Sequence, residues 1–372
     1  MTTFVRASID RPAYTLPGQY FTSVDIFSRE QERIFARQWV CVGRSAEVPA
    51  AGNYRLIELA GENLILLRDH DGGLRAYYNV CRHRGARLCT EMQGQLGETI
   101  VCPYHAWTYR LDGTLATARY MQDAPGFRRE DWPLISAAVA EWEGFVFVSL
   151  SSSPVPFSQV FAPLIGKFQA WEISRLQRGA QIVYEVAANW KLIIANYSEC
   201  YHCPLIHPEL VAISPWQSGR NDLTSGPFLG GYMELNHESM TLDGHTRRPP
   251  LPGLSPIDRQ RVYYYSIFPN LLLSLHPDYV MAHRLLPRRH DATTVICEWY
   301  FAPEVMAAAD FDPADAVEFW DRTNRQDWRV CELSQQGISS RAYRPGPYAQ
   351  SEGLLWQFDQ EYLRVMEQEE AS

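Results

Sequence analysis

The chain has 372 residues, 46% of them hydrophobic and 13% aromatic, which suits two domains with sizeable cores. Charged residues make up only 21%, which excludes disorder over most of the length. The formal net charge is −9 and no Lys/Arg cluster offsets it, so nucleic acid and anionic membrane are excluded as partners.

Met1 to Pro12 holds no apolar stretch fit for a signal peptide, and no apolar run approaches a membrane span. A cytoplasmic protein is expected. Eight cysteines are present, at positions 41, 81, 89, 102, 200, 203, 297 and 331. In a reducing compartment, metal binding or burial is the better expectation for them than a disulfide framework.

In chain order, Ser28 and Gln31 have capping-box spacing and predict an amphipathic helix through Ile34, Phe35 and Trp39. Residues 1–40 are thus read as a helical segment packing on the C-terminal domain. Asn63 to Leu67 and Leu74 to Tyr78 read as strands joined by the turn Asp71-Gly72-Gly73. Asp112-Gly113 marks a second hairpin, and Gly144 to Val148 another strand. Residues 41–150 therefore form an all-β domain, and Ser151 to Pro156 a linker. In residues 151–372 the pattern mixes. Trp190 to Tyr201 reads as helix, and Val262 to Leu275 and Thr293 to Phe301 as strands of a central sheet. Asp312-Pro313 starts a helix that runs to about Gln336, with Gly337 just past its end. The fold class is α+β.

Two constellations carry chemistry. Cys81-Arg82-His83 is followed, after 18 intervening residues, by Cys102-Pro103-Tyr104-His105. Two Cys/His pairs on loops between strands can clamp one compact metal centre. Tetrahedral zinc is one occupant. A [2Fe-2S] cluster is the other, favoured because the intervening segment has no helical periodicity. Cysteines would then hold one iron and imidazoles the other, which raises the reduction potential. Cys89 reads as a buried thiol.

The second constellation is Asn196-Tyr197-Ser198-Glu199-Cys200-Tyr201-His202-Cys203-Pro204-Leu205-Ile206-His207. On a regular helix His202 and His207 would not converge, so a break at Pro204 is expected to swing His207 round. Two imidazoles and a carboxylate on one face of Fe(II) leave positions open for O₂ and substrate. Helical periodicity puts Asp327 on one face with Trp320, Thr323, Asn324 and Cys331, away from Arg322, Arg325 and Arg329. Asp321 is the competing carboxylate. Cys200 and Cys203 read as packing residues, and the other histidines (His70, His237, His245, His276, His283 and His290) as structural.

Cys81-Arg82-His83-Arg84-Gly85 and Cys102-Pro103-Tyr104-His105-Ala106-Trp107 resemble the cluster motif of the Rieske non-haem iron oxygenase α subunits, the aromatic-ring-hydroxylating dioxygenase superfamily. The resemblance extends over nearly the whole chain. It is nearest to the branch of glycine betaine monooxygenase, carnitine monooxygenase and stachydrine demethylase, through Asn79 to Gly85, Glu199 to Cys203 and Phe268 to Leu271.

The resemblance implies an all-β Rieske domain and a helix-grip catalytic domain of the START/Bet v1 type with an antiparallel sheet. It implies a Rieske [2Fe-2S] cluster on Cys81, His83, Cys102 and His105, and mononuclear Fe(2+) on His202, His207 and Asp327. Glu199, with Asn196 beside it, takes the catalytic positions. Glu199 bridges the cluster of one subunit to the iron of its neighbour, which requires an oligomer, usually a homotrimer. No dinucleotide fingerprint appears, so a separate NAD(P)H-dependent reductase supplies electrons, directly or through a ferredoxin.

The implied activity is O₂-dependent hydroxylation or N-demethylation of a small substrate such as a betaine. Hydroxylation of an aromatic ring or aromatic acid, or of a specialised metabolite, is the alternative. Tyr263-Tyr264-Tyr265, with Trp216, Phe268 and Trp299, could supply a cation-binding cage or simply fill the sheet core. Alternation along a strand prevents all three tyrosines from facing one pocket.

Overall fold

Short alternating runs with Asp/Gly turns between them build the first half of the chain. The computed structural model describes residues 3–367. Within it Gln31–Ile165 forms one unit, and the chain up to Glu30 together with that from Gly166 forms another.

In the first unit a seven-stranded antiparallel sheet runs, in spatial order, Val40–Arg44, Phe145–Ser149, Ser136–Trp142, Leu74–Tyr78, Glu62–Arg68, Asn53–Leu59 and Gln93–Gln95. A small sheet of Thr99–Val101, Thr108–Arg110 and Leu115–Thr117 accompanies it. Turn chemistry sets the register. Asp69 Oδ1 accepts the backbone N–H groups of Asp71 and Gly73 at 3.0 and 2.7 Å, and Gly72 takes φ +80. Ile65, Leu67, Tyr77, Ile100, Trp107 and Tyr109 pack into one core that also contains Cys81 and Cys102.

This unit ends later than a linker at Ser151 to Pro156 would place it. Phe157 and Phe161 lie 5.4 and 4.8 Å from the Phe147 ring, so the chain past Pro156 still packs on the strand before it. The N-terminal helix also differs from the sequence reading. It spans Val24–Glu30 and continues as a π-helical turn, Gln31–Phe35, so Ser28 sits inside it. Trp39 lies beyond, and its indole N–H donates to the Val155 carbonyl at 2.9 Å. Glu30 is fully buried and accepts from the Lys191 ammonium, the Trp190 indole at 2.8 Å and the Tyr362 hydroxyl at 2.6 Å. A buried carboxylate with this set of donors is satisfied; removing one partner would strand a charge.

The second unit is a sheet with helices. Its elements are β1 (Gln177–Val186), α1 (Trp190–Tyr197), α2 (Cys203–Ile206), α3 (Pro208–Ile213), β2 (Arg220–Ser225), β3 (Phe228–Glu234), β4 (Arg261–Ile267), β5 (Leu271–Leu275), β6 (Val280–Arg289), β7 (Ala292–Phe301), α4 (Ala314–Ile338) and α5 (Gly353–Glu367). The sheet order is β1-β7-β6-β5-β4-β3-β2, antiparallel throughout. Every residue of β5 is buried, which explains its four leucines, and the one polar residue, Ser274, lies 3.0 Å from the Tyr197 hydroxyl. Truncating Leu273 there to Ala would cost about 2–5 kcal/mol.

Helix α4 buries Ala316, Phe319, Trp320, Thr323, Asn324, Trp328, Cys331 and Gln335, a stripe of helical period. It begins one residue later than expected, with Pro313 as N-cap, and runs through Gly337 to Ile338. Asp312 still serves the start, since its Oδ1 accepts the Ala314 N–H at 2.9 Å. Among the described residues no helix is long and apolar enough to cross a membrane.

Candidate functional site

The two Cys/His loops share one backbone design. The Cys81 N–H donates to the Ala86 carbonyl at 2.8 Å, and the Cys81 carbonyl accepts from Gly85 at 3.0 Å. In the other loop Cys102 donates to Trp107 at 2.8 Å and accepts from Ala106 at 3.1 Å. The fifth residue of each loop has positive φ, +75 at Gly85 and +56 at Ala106. Each loop thus turns its Cys and His toward the other. The His83 and His105 rings lie 4.7 Å apart, and His83 stacks on Trp107 at 4.8 Å. Burial pushes the Cys81 thiol up and His83 down, which keeps the imidazole neutral. The Tyr109 hydroxyl lies 3.4 Å from Cys81 Sγ and accepts the Arg82 N–H at 3.0 Å.

One detail points to a bound metal centre, and a second bears on which one. The Nδ1 atoms of both histidines are buried without a hydrogen-bond partner, which is rare unless something else binds them. Four zinc ligands would also converge on one ion at about 2.0–2.3 Å. Yet among the described residues the one group of three or more such side chains that converges on a single point is His202, His207 and Asp327, whose ligand atoms lie within 4.8 Å of one another. The wider Cys81–His83–Cys102–His105 set fits a two-iron unit. Cys89 is a free thiol buried in the same core, and burial pushes it up to about 11.

The second site forms where α1 stops. Asn189 caps that helix by accepting the Lys191 N–H at 3.0 Å. The helix ends at Tyr197 rather than Tyr201, and residues 198–202 form an irregular turn. Pro204 is not the break: it sits in the first turn of α2, where its missing N–H costs nothing. The chain bends instead at His207 (φ −125, ψ 65), which precedes Pro208 and is therefore kept from helical backbone. Cys200 and Cys203, expected as separate packing residues, are joined by a disulfide across this turn, with a Cα–Cα distance of 4.9 Å.

Asp327 on α4 meets both histidines. Its Oδ1 lies 2.8 Å from His207 Nε2 and 3.3 Å from His202 Nε2. The far nitrogens are also held. His202 Nδ1 contacts Glu199 Oε1, and His207 Nδ1 lies 2.7 Å from Gln326 Oε1. A carbonyl oxygen only accepts, so Nδ1 of His207 carries the proton and Nε2 offers its lone pair to the centre. Burial disfavours charge on His202, yet Asp327 and Glu199 together outweigh it and push it up to about 10. Burial likewise disfavours charge on Asp327, and both histidines outweigh it and hold its carboxyl low. The pocket therefore favours positive charge at the point these atoms share, as a divalent cation would supply. Asp321 is held elsewhere, by the Tyr184 hydroxyl at 2.8 Å and Arg325 at 2.9 Å.

The triad opens into a cavity of about 640 Å³. Asn196 and Glu199 line it. So does an aromatic wall of Tyr197, Tyr264, Trp320 and Trp328. Tyr264 lies 5.9 Å from Tyr197 and 6.3 Å from Trp320, both edge-to-face. Of the aromatic residues singled out in the sequence, Tyr264 and Trp216 reach the cavity, whereas Tyr263, Tyr265, Phe268 and Trp299 are buried outside its lining. His283, expected to be structural, lines the cavity with Nε2 3.2 Å from Asn324 Oδ1. Burial pushes it down to about 4, so it is neutral. Gln326, Trp328 and His283 were missed. The α4 periodicity that exposed Asp327 also placed Trp328 beside it, but no local signal tied β6 to that face.

Residues 173–368 match the model of the ring-hydroxylating α-subunit catalytic domain, and residues 38–128 match that of the Rieske [2Fe-2S] domain. The chain belongs to the Rieske ring-hydroxylating oxygenase α-subunit family. It is 32% identical to the glycine betaine monooxygenase oxygenase subunit of Chromohalobacter salexigens, over 91% of this chain and 82% of that protein. It is 30% identical to the carnitine monooxygenase oxygenase subunit of Escherichia coli K12, over 89% and 86%. A solved quaternary ammonium Rieske monooxygenase, described with carnitine oxidation and inter-subunit electron transfer, superposes with a TM-score of 0.81 at 27% identity, covering 96% of each chain. This Rieske oxygenase is accordingly the terminal oxygenase component of a multicomponent oxidoreductase. It uses a Rieske cluster and a mononuclear iron, and needs O₂ and a reductase.

Proposed function

We propose that this oxygenase hydroxylates an N-methyl group of a small quaternary ammonium compound of the betaine type. The observation that carries the reading is the aromatic wall in the same cavity as the His202–His207–Asp327 triad. Aromatic faces attract a desolvated cation by about 0.5–2 kcal/mol each, and a tetramethylammonium-like head has no hydrogen bond to give instead. The relatives named for glycine betaine and carnitine support it.

Cys81, His83, Cys102 and His105 would hold the cluster, and His202, His207 and Asp327 would hold the iron. The iron, when bound, supplies O₂ activation with electrons delivered through the cluster. The chain's own residues do the rest. Gln326 and Glu199 keep each imidazole proton on Nδ1, away from the centre. The aromatic wall orients the methylammonium group toward the triad and excludes water. In sum, O₂, two electrons and two protons give one hydroxylated methyl group and one water. The resulting carbinolamine loses formaldehyde and leaves the tertiary amine.

Glu199 joins the triad to the cluster of a neighbouring subunit in a homotrimer, a role supported by its contact with His202 Nδ1 and by the inter-subunit transfer described for the structural relative. The electrons come from a separate NAD(P)H-dependent reductase, and the assembly works in the cytoplasm. The test is turnover with a surrogate reductase against betaines and aromatic acids. Formaldehyde released stoichiometrically from betaines supports the reading; hydroxylated aromatic acid without formaldehyde refutes it.

A further inference from the structure

The cavity has two ends of different chemistry. One is the aromatic wall beside the triad. The other is polar and is built by the N-terminal segment, the beginning of β2 and the residues just before α5. The Val5 N–H donates to the Asn221 carbonyl at 2.8 Å, and Asn221 returns a bond to Val5 at 2.6 Å, which extends the sheet beyond edge strand β2. The Ala7 N–H adds a bond to Asn221 Oδ1 at 3.2 Å, and the Ile9 N–H one to the Gln350 carbonyl at 3.2 Å. This pinned segment brings Arg6 and Ser8 to the cavity lining, which Gln217, Asn221, Gln350 and Ser351 also share. Among the described lining residues Arg6 is the single Lys or Arg. One of its N–H groups donates to the Gln217 carbonyl at 2.5 Å, which fixes the guanidinium at the rim. A guanidinium has five N–H donors in a planar fork, so a two-oxygen anion can still be gripped.

Register gives the distance between the ends. Val5 pairs with Asn221, Asn221 with Gly231, and Gly231 with Tyr264. Three strand spacings of about 4.8 Å put the two backbones roughly 14 Å apart. The Arg6 and Tyr264 side chains both line the space those backbones enclose.

We infer that Arg6 is the specificity-determining residue that reads the substrate's anionic tail, so that this oxygenase selects zwitterions with a carboxylate over quaternary ammonium alcohols. The inference deepens the functional reading above and rests on it. The ammonium head lies against Tyr264, Trp320 and Trp328, and the carboxylate takes the free edge of Arg6. Without the anion, the same head can be turned several ways in a cavity of this size. With it, one methyl group is held toward the triad.

The test compares γ-butyrobetaine and glycine betaine with choline, which keeps the ammonium head and lacks the carboxylate. KM and kcat are measured for wild type, Arg6→Gln and Arg6→Lys in the full chain with its metals and a surrogate reductase. Losing a charge-assisted pair worth about 1.5–3 kcal/mol corresponds to roughly 10- to 150-fold. Arg6→Gln should therefore raise the betaine-to-choline KM ratio by about that factor with a smaller change in kcat, and Arg6→Lys should recover part of it. An unchanged ratio in Arg6→Gln, with betaines still oxidised by the wild type, overturns the Arg6 assignment alone. A wild type that oxidises no quaternary ammonium compound overturns the functional reading beneath it.

Discussion

Replacing Gln326 by Leu removes the oxygen that holds the far side of His207. The contact is 2.7 Å from Nδ1, and His207 is only 2% exposed. Two consequences follow from that geometry. The Nδ1–H is left buried without an acceptor, which costs about 1–3 kcal/mol. The imidazole can avoid that cost by moving its proton to Nε2, but Nε2 is the atom aimed at the point shared with Asp327. Either route weakens metal binding, and loss of such an outer partner typically lowers affinity about 10- to 100-fold. That range equals about 1.4–2.8 kcal/mol, in agreement with the desolvation cost. The assay is anaerobic titration of Fe(II) out of the mononuclear site with a competing chelator, with the cluster's EPR signal as the internal standard. Gln326→Glu keeps an acceptor and should retain most of the affinity. Equal iron affinity in wild type and Gln326→Leu would refute the argument that Gln326 sets the imidazole tautomer.

Asp327→Ala should abolish mononuclear iron while sparing the cluster, and Asp321→Ala should keep both, because Asp321 is engaged by Tyr184 and Arg325; metal analysis of the two variants separates them. Glu199→Ala should leave both metals bound and nearly abolish coupled turnover, and full activity would exclude a bridging role. Asp359 gives a pH signature. Burial outweighs the Tyr348 hydrogen bond and the Lys191 charge and pushes its carboxyl up to about 7 from 3.8. A raised folded-state value means that its contribution to stability is intact below about pH 4 and is lost as pH climbs through 7. Asp359→Asn should therefore stabilise by an amount that grows from pH 4 to 7 and then levels off, at most about 4 kcal/mol. Thermal unfolding at pH 5 and pH 8 should show the larger gain at pH 8, and equal gains would contradict the buried-acid account.

The candidate metal-binding residues were legible in the sequence because their motifs are local. Cys81 with His83 and Cys102 with His105 are each a few residues apart, and one short segment holds Glu199, His202 and His207. Asp327 was reachable because a single helix exposes its face through period. What the sequence hid was long-range. His283 joins the cavity wall through sheet pairing that brings β6 under α4, and Arg6 joins it only because Val5 bridges to Asn221. Backbone restriction was misassigned for a different reason. Two prolines, Pro204 and Pro208, compete within five residues, and which one bends the chain depends on where α1 stops. The Ser198 hydroxyl, turned back to the Ile194 carbonyl at 2.6 Å, accompanies that stop. The Cys200–Cys203 disulfide followed from the resulting turn and not from the spacing of the two residues.

The account stands on one chain folding two separate iron sites, one in each unit. Reduction of the anaerobically purified protein with dithionite, followed by EPR and iron analysis, tests it most directly. The predicted result is an anisotropic Rieske spectrum with about three irons per chain, two in the cluster and one on the triad. A silent spectrum with stoichiometric zinc on Cys81, His83, Cys102 and His105 would contradict it.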